Sequence, residues 1–269
     1  MLDWITDEAA RGAIDHGIVV FALVAARILP IVELAPFLGG RAAPRTVKIA
    51  LAMSLSVLVF PVVWEPLAAS PAASELTLLV MKELLVGLTL GFVTALVFEA
   101  VRIAGQIIDA ARGQTMANVM VPQLPERVSV TADYLYLLAI ALFFAFGGHL
   151  VFVEALVRSY ASIGLFHFPE FGDAAQMALL ITRLWADAIA VGVLFAFPVV
   201  ASILLADLVL ALINRSAPQI NVFFLGMPLK AVLGSAVVLL GLGIFADEFA
   251  NHAANGLGAL ADLSNLLGS

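Results

Sequence analysis

AIAVGVLFAFPVVASILLADLVLALI, residues Ala188–Ile213, runs for 26 residues with a single charge, Asp207. As an α-helix it would be about 39 Å long, enough to cross a hydrocarbon layer of about 30 Å. A helix at the surface of a soluble protein would carry a polar face, and this one has none. Five more apolar runs accompany it: Ile18–Phe37, Ile49–Val63, Leu84–Phe98, Tyr134–Val153 and Ala231–Phe245. The whole chain is 63% hydrophobic and 12% charged, where a soluble domain carries about a quarter charged residues. The expectation is an all-α integral membrane protein of about six apolar spans, with kinked helices and helical hairpins. Residues 1–269 form one membrane domain in this reading. A four-span part covers residues 1–173 and a hairpin part residues 174–269.

Composition narrows function. The chain has no cysteine, so thiolate chemistry is excluded, and His16, His149, His167 and His252 stand too far apart for a metal-binding spacing. A net charge of −7 without a basic stripe argues against nucleic acid. No Walker-type loop, G-x-S-x-G elbow or H-E-x-x-H motif occurs, so neither catalysis nor a cofactor is expected. Residues Met1–Asp15 carry Asp3, Asp7, Glu8 and Asp15 against Arg11, unlike the basic start of a signal peptide, so the first span is expected to be retained.

Loop charges orient the chain. Arg41, Arg45 and Lys48 follow the first span, Arg102, Arg112 and Arg127 the third, and Arg215 precedes the last. Basic loops stay on the cytoplasmic side, which puts the odd-numbered loops inside and both termini outside.

Polar residues within the apolar sequence have two readings each. Glu99–Arg102, Glu154–Arg158 and Arg183–Asp187 are three or four residues apart, so each pair shares a helical face. They either lock protein contacts at helix ends or line a passage. Asp207 stands most isolated, and with Arg27 it would be the midplane group of a small-molecule or ion transporter working alone. Gly87 and Gly91 form a small-xxx-small face for close helix packing, and Gly147–Gly148, Gly234, Gly241 and Gly243 read the same way. Pro30, Pro36 and Pro198 bend or break spans that face partner helices, or kink them harmlessly. The long segment Gly105–Ser129 combines glycines and prolines with Ile107, Ile108, Met116, Val119, Met120 and Val121. It is either a re-entrant, gate-like element or an interfacial helix at the headgroups.

The sharpest local feature is Asn214-Arg215-Ser216-Ala217-Pro218-Gln219-Ile220-Asn221-Val222-Phe223-Phe224-Leu225-Gly226-Met227-Pro228-Leu229-Lys230. Pro218 restricts Ala217 to extended geometry, and Asn221 or Gly226 is suited to cap or end a helix. A rigid turn between spans five and six is expected, fit for a fixed contact surface.

That segment resembles the signature of the FliR/SctT family of type III export apparatus proteins. Pro36-Phe37-Leu38-Gly39-Gly40-Arg41 with Pro44 and Lys48 is similar to the family's first cytoplasmic turn. Lys82-Glu83-Leu84-Leu85-Val86-Gly87-Leu88-Thr89-Leu90-Gly91-Phe92 resembles its third span, and Gly105-Gln106-Ile107-Ile108-Asp109 with Arg112-Gly113 the approach to its central loop. Asp109–Arg112-Gly113, Ser159-Tyr160 and Phe223-Phe224 look closer to the virulence-type injectisome branch than to the flagellar one.

The resemblance implies a non-enzymatic subunit of the export gate in the bacterial inner membrane, displaced toward the periplasmic side in the assembled complex. It implies partners of the SctR/FliP, SctS/FliQ and SctU/FlhB types, inner rod or needle proteins, unfolded secreted substrates and membrane lipid. A purely structural assembly nucleus is the third reading, beside gate and transporter. By the same resemblance, residues 106–123 are a candidate plug centred on Gly113, Met116, Ala117, Asn118 and Met120. Flexible methionines there would seal an irregular aperture. Arg112 would then need a partner at the constriction. Arg215, Pro218, Gln219, Asn221, Phe223, Gly226, Pro228 and Lys230 are the candidate assembly turn.

Overall fold

The computed structural model describes residues 8–40, 43–64, 73–113, 129–168, 174–219 and 221–268. Among them are eight α-helices, one 3-10 turn at Pro36–Leu38 and no strand. The helices are α1 (Glu8–Leu34), α2 (Arg45–Val59), α3 (Ala73–Ala111), α4 (Val130–Ala145), α5 (Gly148–Ser162), α6 (Ala174–Ser216), α7 (Val222–Leu240) and α8 (Leu242–Gly268). The chain is an all-helical integral membrane protein.

Every apolar run is largely helical, but not every run is a crossing. Among the described residues four helices are long and apolar enough to span, within α1, α3, α6 and α7, or five if α4 and α5 count together. α2 has 15 residues, about 22 Å, which falls short of the hydrocarbon thickness. The run Tyr134–Val153 is interrupted at Phe146–Gly147, where Gly147 takes φ +73°, a conformation that costs a side-chain-bearing residue dearly. The run Ala231–Phe245 is divided at Gly241 between α7 and α8. The prolines do not break their helices: Pro30 lies inside α1, Pro198 inside α6 and Pro228 inside α7. Pro36 instead starts the 3-10 turn.

The chain divides into two compact units. The first holds residues 1–95, 149–181 and 255–269. Its core is built from Val20, Leu23, Val24, Ile28 and Ile31 of α1, Leu79, Val86 and Leu90 of α3, Phe152 and Leu156 of α5, and Leu260 and Leu263 of α8, all buried. The crossing of α1 over α3 depends on two glycines. A Cβ on Gly87 would overlap the main-chain carbonyl of Arg27, and one on Gly91 would lie 3.1 Å from Ile31 Cα. The small-xxx-small face is therefore a real contact face.

The second unit holds residues 96–148 and 182–254. Phe98, Val101 and Ala104 of α3, Ala132, Leu135 and Phe143 of α4, Ala196 and Ile203 of α6 and Phe249 of α8 form its core. The Phe98 ring centre is 5.4 Å from that of Phe143 and 6.0 Å from that of Phe249. The remaining glycines differ from expectation. Gly148 packs on the Phe143 ring and Gly234 on the Arg112 side chain, but Gly147 and Gly243 have open space where a Cβ would stand.

Coverage is uneven. Half or more of the apolar window is buried in α1 and α3, against 28% in α6 and 11% in α7. Leu194, Phe197, Leu205, Phe224, Val232 and Leu240 all face outward. With no hydrophobic penalty for apolar surface in lipid, such faces suit acyl chains or neighbouring helices.

Gly87→Val drives a branched side chain into the α1 backbone. Its expected cost is at least about 1–3 kcal/mol, seen as a lower thermal unfolding midpoint in detergent, whereas Gly243→Ala leaves that midpoint near wild type.

Candidate functional site

Three polar constellations stand out in an otherwise apolar molecule. The first lies at the centre of the first unit. Arg27, one turn before Pro30 on α1, is fully buried and grips fully buried Glu83 of α3 with two bonds: Nε to Oε2 at 2.5 Å and Nη2 to Oε1 at 3.0 Å. This is the two-pronged geometry in which guanidinium and carboxylate bind most strongly. Arg27 Nη1 donates to Ser159 Oγ at 3.2 Å and Nη2 to the Ile163 carbonyl at 2.9 Å. Its guanidinium also lies 4.0 Å from the centre of the Tyr160 ring, whose hydroxyl donates to the Val24 carbonyl.

Lys82, the neighbour of Glu83, completes the cluster. Its Nζ is 2.8 Å from Glu83 Oε1 and donates to the carbonyls of Gly164 at 2.7 Å, Leu165 at 2.8 Å and His167 at 3.0 Å. Two cations thus share one carboxylate. The excess positive charge is met by carbonyls of residues 163–167, immediately past the C-terminus of α5, where a helix carries unpaired carbonyls and partial negative charge. The arrangement fixes the chain leaving α5 onto α1 and α3. It offers no bound group a place, because every charge already has a protein partner.

Sequence reasoning noted Arg27 but did not find its partner. Lys82 and Glu83 are the sole charges between Glu75 and Glu99 of α3, and Glu83 stands one helical turn from Gly87. A charge beside a glycine that brings backbones together is the signal that points to a buried pair.

The second constellation joins helices of the second unit at the edge of the expected plug. Asp109 Oδ2 accepts from Ser129 Oγ at 2.7 Å and from the Thr131 backbone N–H at 2.9 Å. Arg112 lies 3.4 Å from Asp109 and donates to Thr131 Oγ1 at 2.9 Å, to the Ala231 carbonyl at 2.8 Å and to Ser235 Oγ. Ser129 also caps α4 by accepting from Ala132 N–H. The partners of Arg112 are therefore on α3, α4 and α7. Gly113 follows with φ +83°, in the left-handed region. Met116, Ala117, Asn118 and Met120 lie outside the described residues.

The third constellation is the α6–α7 hairpin, and the structure corrects the expected turn. The first of the two helices ends at Ser216 and the second begins at Val222. Arg215 is in the last turn of α6, and Pro218 and Gln219 are in the connection. Asn221 caps α7, its side chain accepting from Phe224 N–H at 3.4 Å. Phe223, Gly226, Pro228 and Lys230 are already helical. Gly226 is not a cap but a packing position, where a Cβ would stand 3.1 Å from Leu210. Lys230 Nζ reaches Asp207 Oδ1 at 2.5 Å, so Asp207 is not isolated. A groove of about 240 Å³ opens beside this pair, lined by Leu210, Asn214, Phe223 and Met227 among others.

Of the other charges, Glu99–Arg102 pair at 3.4 Å and Glu154–Arg158 at 2.6 Å, the latter exposed. Arg183 and Asp187 do not come within ion-pair distance despite their spacing. Among the described residues no three histidines, aspartates or glutamates gather as a metal site.

Comparison with known proteins adds a family. Residues 18–256 match the bacterial export proteins, family 1. The flagellar biosynthetic protein FliR of Bacillus subtilis is 31% identical over 225 residues, 83% of this chain and 86% of its own length. Yop proteins translocation protein T of Yersinia pestis is 33% identical over 216 residues, 80% of each chain. The secretion system apparatus protein SsaT of Salmonella typhimurium is 27% identical over 230 residues, 84% of this chain and 88% of its own. The flagellar relative and the translocation and secretion-system relatives are thus about equally similar, and identity does not separate them. All three constellations lie within the matched residues.

Glu83→Ala leaves Arg27 and Lys82 buried without their carboxylate and is expected to cost about 3–5 kcal/mol, enough to abolish recovery of folded protein from membranes. Glu154→Ala, at an exposed pair, costs less than about 1 kcal/mol and leaves the yield unchanged.

Proposed function

This chain belongs to family 1 of the bacterial export proteins, and on that premise we propose that it is a non-enzymatic subunit of a type III export gate in the bacterial inner membrane. In this reading it walls part of the portal through which unfolded secreted proteins leave the cytoplasm. Its partners are subunits of the SctR/FliP, SctS/FliQ and SctU/FlhB types, together with inner rod or needle proteins. Those partners hold it toward the periplasmic side.

The observation that carries the proposal is the contrast between its two kinds of surface. Inside, the charges are locked: Arg27 is fully buried and held by Glu83, Ser159 and the Ile163 carbonyl. Outside, α6 and α7 leave most of their apolar length uncovered. A stand-alone transporter with Arg27 and Asp207 as midplane groups needs side chains that exchange partners during transport. Here Arg27 has no solvent exposure and Asp207 is engaged by Lys230, which favours a structural wall over a carrier.

The segment 106–123 is the proposed plug, with Gly113, Met116, Ala117, Asn118 and Met120 at its centre. The Asp109–Arg112 network supports this role by anchoring residues on both flanks, Arg112 before the segment's centre and Ser129 and Thr131 after it.

Affinity purification of the chain from membranes expressing the whole apparatus is expected to recover a fixed hetero-oligomer. A solitary particle that moves solute in liposomes would overturn the proposal. Deleting residues 113–118 is expected to raise small-ion conductance through the assembled complex, and unchanged conductance would remove the plug assignment.

A further inference from the structure

A cavity of about 560 Å³ lies within the second unit, between α6 and the junction of α7 with α8. It opens where Gly241 separates those two helices and interrupts their packing. Its size falls in the range of about 300–1,000 Å³ that encloses a small organic molecule. The floor is apolar and closed, with Ile108 of α3 and Val199 of α6 both buried. Phe195 of α6 and Phe245 of α8 supply an aromatic wall, their ring centres 5.1 Å apart and their planes tilted by 58°.

One charged side chain lines this cavity among the described residues, Glu248 of α8. It is exposed, so it stands on the open side while the apolar floor lies behind. The acidic groups described above at Glu83, Asp109 and Asp207 each have a cationic partner within the chain. The Glu248 carboxylate has no ion-pair or hydrogen-bond partner among the described residues, and its acceptor positions are open.

That combination selects a ligand by charge. An apolar body is taken up by the floor and the aromatic wall, and an ammonium at its end meets the carboxylate in a charge-assisted hydrogen bond. A phosphate or carboxylate on the ligand would face Glu248 as a like charge, with no lysine or arginine in the described lining to offset it. A phospholipid headgroup is disfavoured on that ground, even one that carries an ammonium. We propose that this cavity is a binding site for a lipophilic organic monocation, an amine with an aromatic or aliphatic body, and that Glu248 is the residue that selects its charge. The inference goes beyond the gate-subunit reading and does not rest on it.

The test uses a matched pair of probes, 4-phenylbutylammonium and the uncharged 4-phenylbutanol. Full-length chain purified from membranes in a neutral detergent is titrated with each by calorimetry, with uptake into empty micelles subtracted. Both probes are expected to bind saturably to the wild-type chain, the ammonium more tightly. Glu248→Gln keeps the shape of the side chain and removes its charge. It is expected to weaken the ammonium by about tenfold or more and to leave the alcohol unchanged. Asp247→Asn removes the adjacent exposed carboxylate, which does not line the cavity, and is expected to leave both probes unchanged.

Equal losses of ammonium binding in Glu248→Gln and Asp247→Asn would reveal general surface attraction and overturn the inference. So would ammonium binding that Glu248→Gln does not weaken, or the absence of saturable binding to the wild-type chain. A wild-type unfolding midpoint in Glu248→Gln is the expected sign that the loss belongs to the site and not to the fold. None of these outcomes bears on whether the chain co-purifies with other export subunits, so the gate-subunit reading stands or falls separately.

Discussion

Burial of charge in a place without water is the constraint on which the first unit depends. Arg27 and Glu83 have no solvent exposure, so each must be satisfied by protein alone. They meet because α1 and α3 touch at Gly87, one turn along from Glu83, where a larger residue would hold the backbones apart. The glycine sets the distance and the ion pair sets the register. A slip of one residue along either helix would leave both charges unpaired in an apolar interior. The carbonyls past the end of α5 then balance the extra charge of Lys82 and bring a third segment into the same arrangement.

Such a cluster contributes more to uniqueness than to net stability. An apolar replacement of similar volume often holds a fold equally well, whereas loss of a single member leaves a bare charge. The second unit uses the same logic with weaker burial. Asp109 and Arg112 tie α3 to the start of α4 and to α7 through hydroxyls, a backbone N–H and a carbonyl. In both units, polar side chains do the specifying where apolar packing would permit several registers.

The fold class was legible because the bilayer imposes a simple length rule on apolar sequence. The number of crossings was less so. Hydropathy weighs residues and not helix continuity, so it counted α2, which is too short, and read through the breaks at Gly147 and Gly241. The expected turn at 215–230 was recognisable as a motif but mostly proved to be helix, since Phe223, Gly226, Pro228 and Lys230 follow a cap at Asn221. The proline at 228 stands in the second turn of α7, past the first turn where proline is tolerated, so it removes the backbone bond to the Phe224 carbonyl without ending the helix. Pairs three or four residues apart were read correctly at Glu99–Arg102 and Glu154–Arg158 and missed the mark at Arg183–Asp187, because shared spacing allows a contact without compelling it.

By itself, then, the sequence determined that this is a protein of membrane helices, and its scattered motifs pointed to a family of export proteins. Both follow from local properties: apolar length, residue type and order along the chain. What only the tertiary structure decided is who answers each charge. Arg27 meets Glu83 across 56 positions, Arg112 meets Ser235 across 123, and Asp207 meets Lys230 from the facing helix. No period of 3.6 residues encodes such meetings. They arise because helices crossing at glycines bring distant polar groups together in a medium that tolerates none of them alone.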